Sequence, residues 1–341
     1  MKKATIQDIA NALNISRVTV WKVFSQRGGV SEHLQREIIA KAEELHYHVP
    51  PELKAQFKST EDDSQYTISL VVSRPKTSLF WMNIIHELAK EASEHHVNLM
   101  YTYLPIEVDP DYELPAIFTN DTLQGIIIIN VYNEDLLLRL SSLPLPKVFL
   151  DTAISVPFQK LNGDLLLIEG KSYVREMTKF LLSGGRNRIG FVGDIHYALT
   201  NYERYEGFLA AMKEDGLLVS EKSCLLGPID PYSYQDEIAH FIRHLEEMPD
   251  AFVCASDFVG NILKTELKRK GYRIPEDVAI CGFDDDLGYH EPSDLTTVHV
   301  HTSDLGIRLL HQLLYRMSHP NACYECSRVC ADILYRKTTD I

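Results

Sequence analysis

The sequence predicts a small all-α helix-turn-helix head, a polar linker, and a larger α/β body whose parallel sheets form two lobes. Three observations carry this prediction. The first 47 residues hold three short stretches of helical apolar periodicity, residues 48–65 are polar and marked by Pro50-Pro51, and from Tyr66 short β-branched runs alternate with longer helical ones. At 341 residues the chain can build two or three units with cores of their own. Its 45% hydrophobic and 24% charged residues exclude a disordered or collagen-like chain. No apolar signal core follows the opening, and no stretch reaches the roughly 18 uncharged apolar residues of a membrane helix, so a cytoplasmic protein without a membrane partner is expected.

In the head, Thr5 caps a helix striped by Ile6, Ile9, Ala10 and Leu13, and Asp8 completes a capping box. After a break at Asn14-Ile15, Ser16 caps a second helix with Val20, Val23 and Phe24 on its inner face. Past Gly28-Gly29, Ser31 caps a third, striped by Leu34, Ile38, Ala42 and Leu45. Two helices joined by one tight turn form a helix-turn-helix, which enters the major groove by the N-terminal end of its second helix. Arg17, Val18, Trp21 and Lys22 then face outward. Arg17 can donate two hydrogen bonds to guanine and Val18 can touch a thymine methyl. Ser16, Thr19 and Lys22 suit phosphates, aided by the helix dipole, and Thr5 joins this DNA-facing set. An exposed Trp21 is costly unless a partner covers it, which favours a binding face over the solvated face of a plain helical bundle.

Charge supports the division. Residues 1–60 carry nine Lys/Arg against six Asp/Glu, a balance of +3, whereas the remainder carries 25 against 42, or −17, within a formal total of −14. A basic head can hold phosphate while an acidic body suppresses indiscriminate sticking. The expected organisation is a head at 1–48, a linker at 49–65 and a body at 66–341. Within the body, one lobe is expected over about 66–160 and 295–320, the other over about 161–294 and 321–341.

Six cysteines stand at 224, 254, 281, 323, 326 and 330. Apolar strand contexts such as Phe252-Val253-Cys254 suit small buried thiols. Cys323 and Cys326, with Cys330 and His319 nearby, have metal-like spacing, but no second Cys-x-x-Cys completes a tetrahedral set. Reduced thiols and no metal are the expectation.

Strand-helix alternation across roughly 275 residues implies parallel sheets with helices on both faces. Ligands of such sheets bind beyond the carboxyl ends of strands, and with two lobes the natural place is the cleft between them. Asn130, Asp151, Ser256-Asp257 and Asp284 all follow strand-like runs, a set able to hold the hydroxyls of a polyol. Phe80 and Trp81 could stack on the apolar face of a sugar ring. Helix capping is the plain alternative for each, and co-location raises the functional reading.

The head strings Thr-Ile-Gln-Asp-Ile-Ala at 5–10, Ser16 to Val23, and Val30-Ser31 through Tyr47 resemble the LacI/GalR family of bacterial transcription regulators. So does the body, through the run from Gly271 to Asp285 that contains Ile274-Pro275-Glu276-Asp277-Val278-Ala279, through Pro292-Ser-Asp-Leu-Thr-Thr-Val298, and through Arg204-Tyr-Glu-Gly-Phe208. The resemblance implies a type I periplasmic-binding-protein-like body, a homodimer on pseudo-palindromic double-stranded operator DNA, and effector contacts at Asp151, Arg204, Ser256, Asp257 and Asp284. It also implies a hinge helix that wedges an apolar side chain into the minor groove. Leu53 and Phe57, i and i+4 neighbours beside Lys54 and Lys58, are the candidates here. The chain departs from the family pattern at Trp21-Lys22, in the linker, at Glu169-Gly170, at Ser256 and at Val300. His299 and His301 alternate on one strand face in a segment that crosses between lobes in the family, so they are expected to be structural.

No phosphate-cradling loop, dinucleotide turn, serine elbow or zinc-protease helix occurs, so no catalytic residue and no cofactor is assigned. The expected function is a repressor of carbohydrate-utilisation genes controlled by a small carbohydrate. The alternatives are control by a protein co-repressor, as in the catabolite-control branch of the family, and a sugar-binding protein without a regulatory role.

Overall fold

Gly-Ile-Ile-Ile-Ile at 125–129 has no polar face, so as a strand it must be covered on both sides, and the body is assembled from such strands. The computed structural model of the chain describes residues 4–13, 15–25, 27–45, 47–50, 53, 66–73, 79–286 and 293–340, with contacts that divide it into Met1–Gln65 and Tyr66–Ile341.

The first unit holds α1 (Ile6–Ala12), α2 (Arg17–Phe24) and α3 (Glu32–Glu44). Thr5 and Asp8 form the reciprocal capping box, with the Asp8 carboxylate accepting from Thr5 N at 2.8 Å. The Ser16 hydroxyl caps α2, accepting from Thr19 N at 3.1 Å. Ile9, Ala10, Val20, Val23, Ile38, Ile39, Ala42 and Val49 form the small core. Leu53 belongs to this core and is only 1% exposed, so the expectation of a groove-seeking wedge at Leu53 is corrected: burial gives it to the head. Phe57, the other candidate, lies outside the described residues.

The second unit contains β1 (Thr67–Val72), α4 (Leu79–Glu94), β2 (Asn98–Tyr103), β3 (Gly125–Ile129), α5 (Glu134–Ser142), β4 (Lys147–Leu150), β5 (Asp164–Ile168), α6 (Lys171–Ser183), β6 (Ile189–Val192), α7 (Leu199–Glu214) and α8 (Tyr234–His244). It continues through β7 (Ala251–Cys254), α9 (Asp257–Arg269), β8 (Ala279–Cys281), β9 (Thr297–His299), α10 (Thr302–Ser318), β10 (Cys326–Val329) and β11 (Asp332–Leu334). One parallel sheet has the order β10-β5-β4-β3-β1-β2, and a second has β6-β7-β8. Alternation sends Ile127 and Ile129 to one core and Ile126 and Ile128 to another, as period-2 geometry requires.

The expected lobe boundaries need correction. Segment 164–168 pairs in parallel with β4, and 326–329 pairs with β5, so both belong to the first lobe although they were expected in the second. Periodicity identifies a strand but does not say which sheet's edge it joins. Antiparallel pairing of β9 with β11 gathers the later crossing segments.

Asp164 anchors this arrangement. Its carboxylate accepts from Arg316 Nη2 at 2.7 Å and Nε at 3.0 Å, and from the Glu325 amide at 2.8 Å, tying α10 and the segment before β10 to β5. Both side chains are almost fully enclosed. Asp164→Ala would leave a guanidinium buried without its carboxylate, so the urea midpoint of the body's transition should fall by an amount worth about 3–5 kcal/mol, and a loss below about 1 kcal/mol would contradict this role.

Candidate functional site

On the head, α2 presents its first turn outward. Arg17 and Val18 are exposed, Val18 at 60%, and Trp21 at 42%, with the Arg27 guanidinium 5.0 Å from the Trp21 ring. The Ser16 and Thr19 hydroxyls lie 2.8 Å apart, so capping and a phosphate would share them. Thr5 is exposed and Lys22 half-buried.

In the body, the carboxyl ends of strands from both sheets open on a cleft of about 1030 Å³, its mouth included. Asn130, after β3, and Asp151, after β4, come from the first lobe, as do Phe80 and Trp81 at the start of α4. Arg204 on α7, Ser256 at the cap of α9, and Asp284 beyond β8 come from the second. Asn130, Asp151 and Asp284 have φ of +56°, +67° and +104°, a region that Asn and Asp enter at less cost than other side-chain-bearing residues.

Asp151 does two things. It lines the cleft, and it accepts from Thr200 Oγ1 at 2.6 Å and Thr200 N at 3.3 Å, so a carboxylate of the first lobe caps α7 of the second, whose own cap position, Ala198, offers no side-chain acceptor. Burial pushes its carboxyl above the ordinary range, against the hydrogen bonds from Thr200 and Thr152 and the charge of Arg204.

Arg204 is 5% exposed, and its guanidinium carbon stands over the Phe283 ring, 3.6 Å from its centroid. Its Nη1 donates to Ala255 O at 2.5 Å and its Nη2 stands 3.5 Å from Asp284 Oδ1. Its Nε is buried with no hydrogen-bond partner among the described residues. A Cβ at Gly170 would meet Arg204 Cγ at 2.9 Å, so glycine there makes room for the guanidinium's stem. Aromatic rings complete the lining: Phe80 with Trp81 at 5.1 Å, Tyr132 with Tyr197 at 4.9 Å, and Tyr234 with Phe258 at 5.7 Å between centroids.

A periplasmic binding protein-like domain model matches residues 178–339. The chain is 24% identical over 343 residues to a protein of Mannheimia succiniciproducens named HTH-type transcriptional repressor PurR, covering 98% of each. It is 25% identical to the same-named protein of Photobacterium profundum, again over 98% of each chain. Among solved structures, the transcriptional regulator CelR in complex with cellobiose superposes with a TM-score of 0.71 at 20% identity, covering 98% of this chain and 99% of that one. The lac repressor dimer bound to operator and the anti-inducer ONPF gives 0.65 at 18% identity, covering 99% of both. The chain is thus similar along its whole length to proteins named as transcriptional repressors, and it shares the fold of LacI-type regulators.

Within this body the cleft brings together seven of the eight effector residues expected from sequence. Asp257 is the exception and is corrected here. Its side chain is fully buried behind the cleft, accepting from Thr297 Oγ1 at 2.7 Å and from the Asp286 amide at 3.0 Å, so it ties α9 to the crossing segments. Burial drives its carboxyl well above the ordinary range. His299 and His301 each hydrogen-bond a separate carboxylate, Asp285 and Asp332, both at 2.8 Å, a structural role. Sequence reasoning missed Tyr132, Asp194, Tyr197, Thr200, Asn201, Tyr234 and Phe258. Asp194 was findable, since it comes one glycine after the end of β6.

Asp284 supplies a pH signature. Burial pushes its carboxyl up to about 7, with Arg204 opposing and Asp286 adding to the rise. Between about pH 4 and 7 the folded protein therefore keeps a proton that the unfolded chain has released, and that stabilisation is lost as pH rises through the folded value. Asp284→Asn cannot ionise. Its melting temperature should climb relative to wild type from about pH 4 to about pH 7 and then hold a constant offset; parallel profiles throughout would contradict the assignment.

Proposed function

We propose that this chain is a LacI/GalR-type transcriptional repressor of carbohydrate-utilisation genes, acting as a homodimer on a pseudo-palindromic operator and controlled by a small neutral carbohydrate in the cleft. The observation that carries this reading is the convergence of Asn130, Asp151, Arg204 and Asp284 from two lobes beside paired aromatic rings, in a chain whose head exposes Arg17, Val18 and Trp21. Carboxyls and an amide match many hydroxyls, and ring faces match the apolar side of a pyranose. Arg204 is the cationic side chain among the described lining residues and is already paired with Asp284, which disfavours a phosphate. The PurR-named relatives support a repressor, and the cellobiose complex of one neighbour and the bound ribose of another, from Enterococcus faecium, support a carbohydrate.

The ligand acts where the lobes already touch. A sugar hydroxyl competing for Asp151 alters the contact with Thr200 and so the balance of lobe arrangements. DNA affinity changes only by the ligand's preference between those arrangements. A second reading, a planar heterocyclic effector, is favoured by the six aromatic side chains in the lining.

Thermal-shift titration separates these readings. Neutral mono- or disaccharides should raise the melting temperature of wild type but not of Asn130→Ala; a response to nucleobases alone would overturn the carbohydrate assignment. Operator binding should weaken steeply with salt. Against a duplex selected from a palindromic library, Arg17→Ala should cost about 1–3 kcal/mol in gel shifts and relax discrimination at one base pair, whereas an equal loss on every duplex would assign Arg17 to phosphate.

A further inference from the structure

Away from the cleft, three donor atoms converge where α4 packs against α10. Glu91 lies in the last turn of α4, and His95, four residues on, directly follows the helix end with its N–H still donating to Glu91 O at 3.0 Å, which stacks the two side chains. His311 comes from α10, 220 residues from Glu91 in the chain. Glu91 Oε1 lies 2.7 Å from His311 Nε2 and 3.2 Å from His95 Nε2, and the three atoms all fall within 4.8 Å of one another. The imidazoles meet edge to face with centroids 5.2 Å apart. Both rings are about half exposed, whereas the carboxylate is 14% exposed, so the group is anchored at its base and open at its rim.

We propose that Glu91, His95 and His311 form a binding site for a borderline divalent transition metal, with Zn²⁺ the expected ion. Zinc bonds to imidazole nitrogen and carboxylate oxygen at about 2.0–2.2 Å, which in a tetrahedron sets ligand atoms roughly 3.3 Å apart. The Glu91–His95 spacing already meets this, and a small rotation of the exposed His311 ring would bring the shorter one to it. Two imidazoles and one carboxylate suit zinc and disfavour calcium or magnesium, which take oxygen ligands. Three protein ligands leave a fourth position for water. The acidic body raises the local cation concentration. Among the described residues, no other group of three His, Cys, Asp or Glu side chains converges in this way. Metal bound here staples α4 to α10, the helix that follows β9.

The plain alternative is a polar clip in which the carboxylate simply accepts from two imidazoles. Co²⁺ titration of the full-length, chelator-treated protein, followed by Zn²⁺ displacement, separates the two. One equivalent of Co²⁺ should bind with a visible tetrahedral band lacking thiolate charge transfer, and Zn²⁺ should displace it and raise the melting temperature. His95→Ala and His311→Ala, both at exposed positions, should each weaken binding by more than the 10–100-fold that loss of an outer-shell partner typically costs. Glu91→Gln should weaken it at least about tenfold. Melting of the metal-free variants checks that each folds. A thiolate band, uptake unchanged in the histidine variants, or no saturable uptake would each overturn the proposal.

Discussion

Strands covered by helices on both faces hold polar side chains mainly at their ends, and this constraint organises the body. Ile126 to Ile129 leave no room for a functional group along β3, so the first available position is Asn130. The same holds for Asp151 after β4, and Asp194 comes one glycine after β6. Because the strands of each sheet run parallel, their carboxyl ends lie on one edge, and two such edges facing each other make a polar cleft between dry cores. Left-handed backbone at Asn130, Asp151 and Asp284 turns the chain sharply at that edge, which selects Asn and Asp for conformation as well as chemistry.

Once gathered there, the polar groups also hold the lobes together. Asp151 reaches across to cap α7, and Asp257 holds α9 to β9. Arg336 donates to Asp285 at 2.6 Å while His299 bonds the other oxygen of the same carboxylate, so the crossing segments share one hydrogen-bonded network. A residue such as Asp151 therefore caps a helix of the second lobe and lines the cleft at once. The contact between the lobes thus sits in the cleft wall itself.

The head obeys a different economy. Its core is small, so caps and a few contacts such as Phe24 against Tyr47, 5.2 Å between ring centroids, weigh heavily, and the chain keeps Leu53 for the core. What remains outside is the first turn of α2, where polar caps, one cation and two apolar side chains stand together.

Sequence by itself determined the elements and the candidate residues that follow them. Caps at Thr5 and Ser16, the Ile run of β3 and the Asn or Asp after β3, β4 and β8 are local signals, because helix caps and strand alternation depend on neighbours a few residues apart. Only the tertiary structure decided which sheet 164–168 and 326–329 join, that Asp257 turns inward while Ser256 beside it faces the cleft, and that Tyr132, Tyr197 and Thr200 complete the lining. It alone brought Glu91 and His95 to His311. These outcomes turn on side-chain direction and long-range packing, in which two residues become neighbours because helices must cover a sheet, and no spacing along the chain records that.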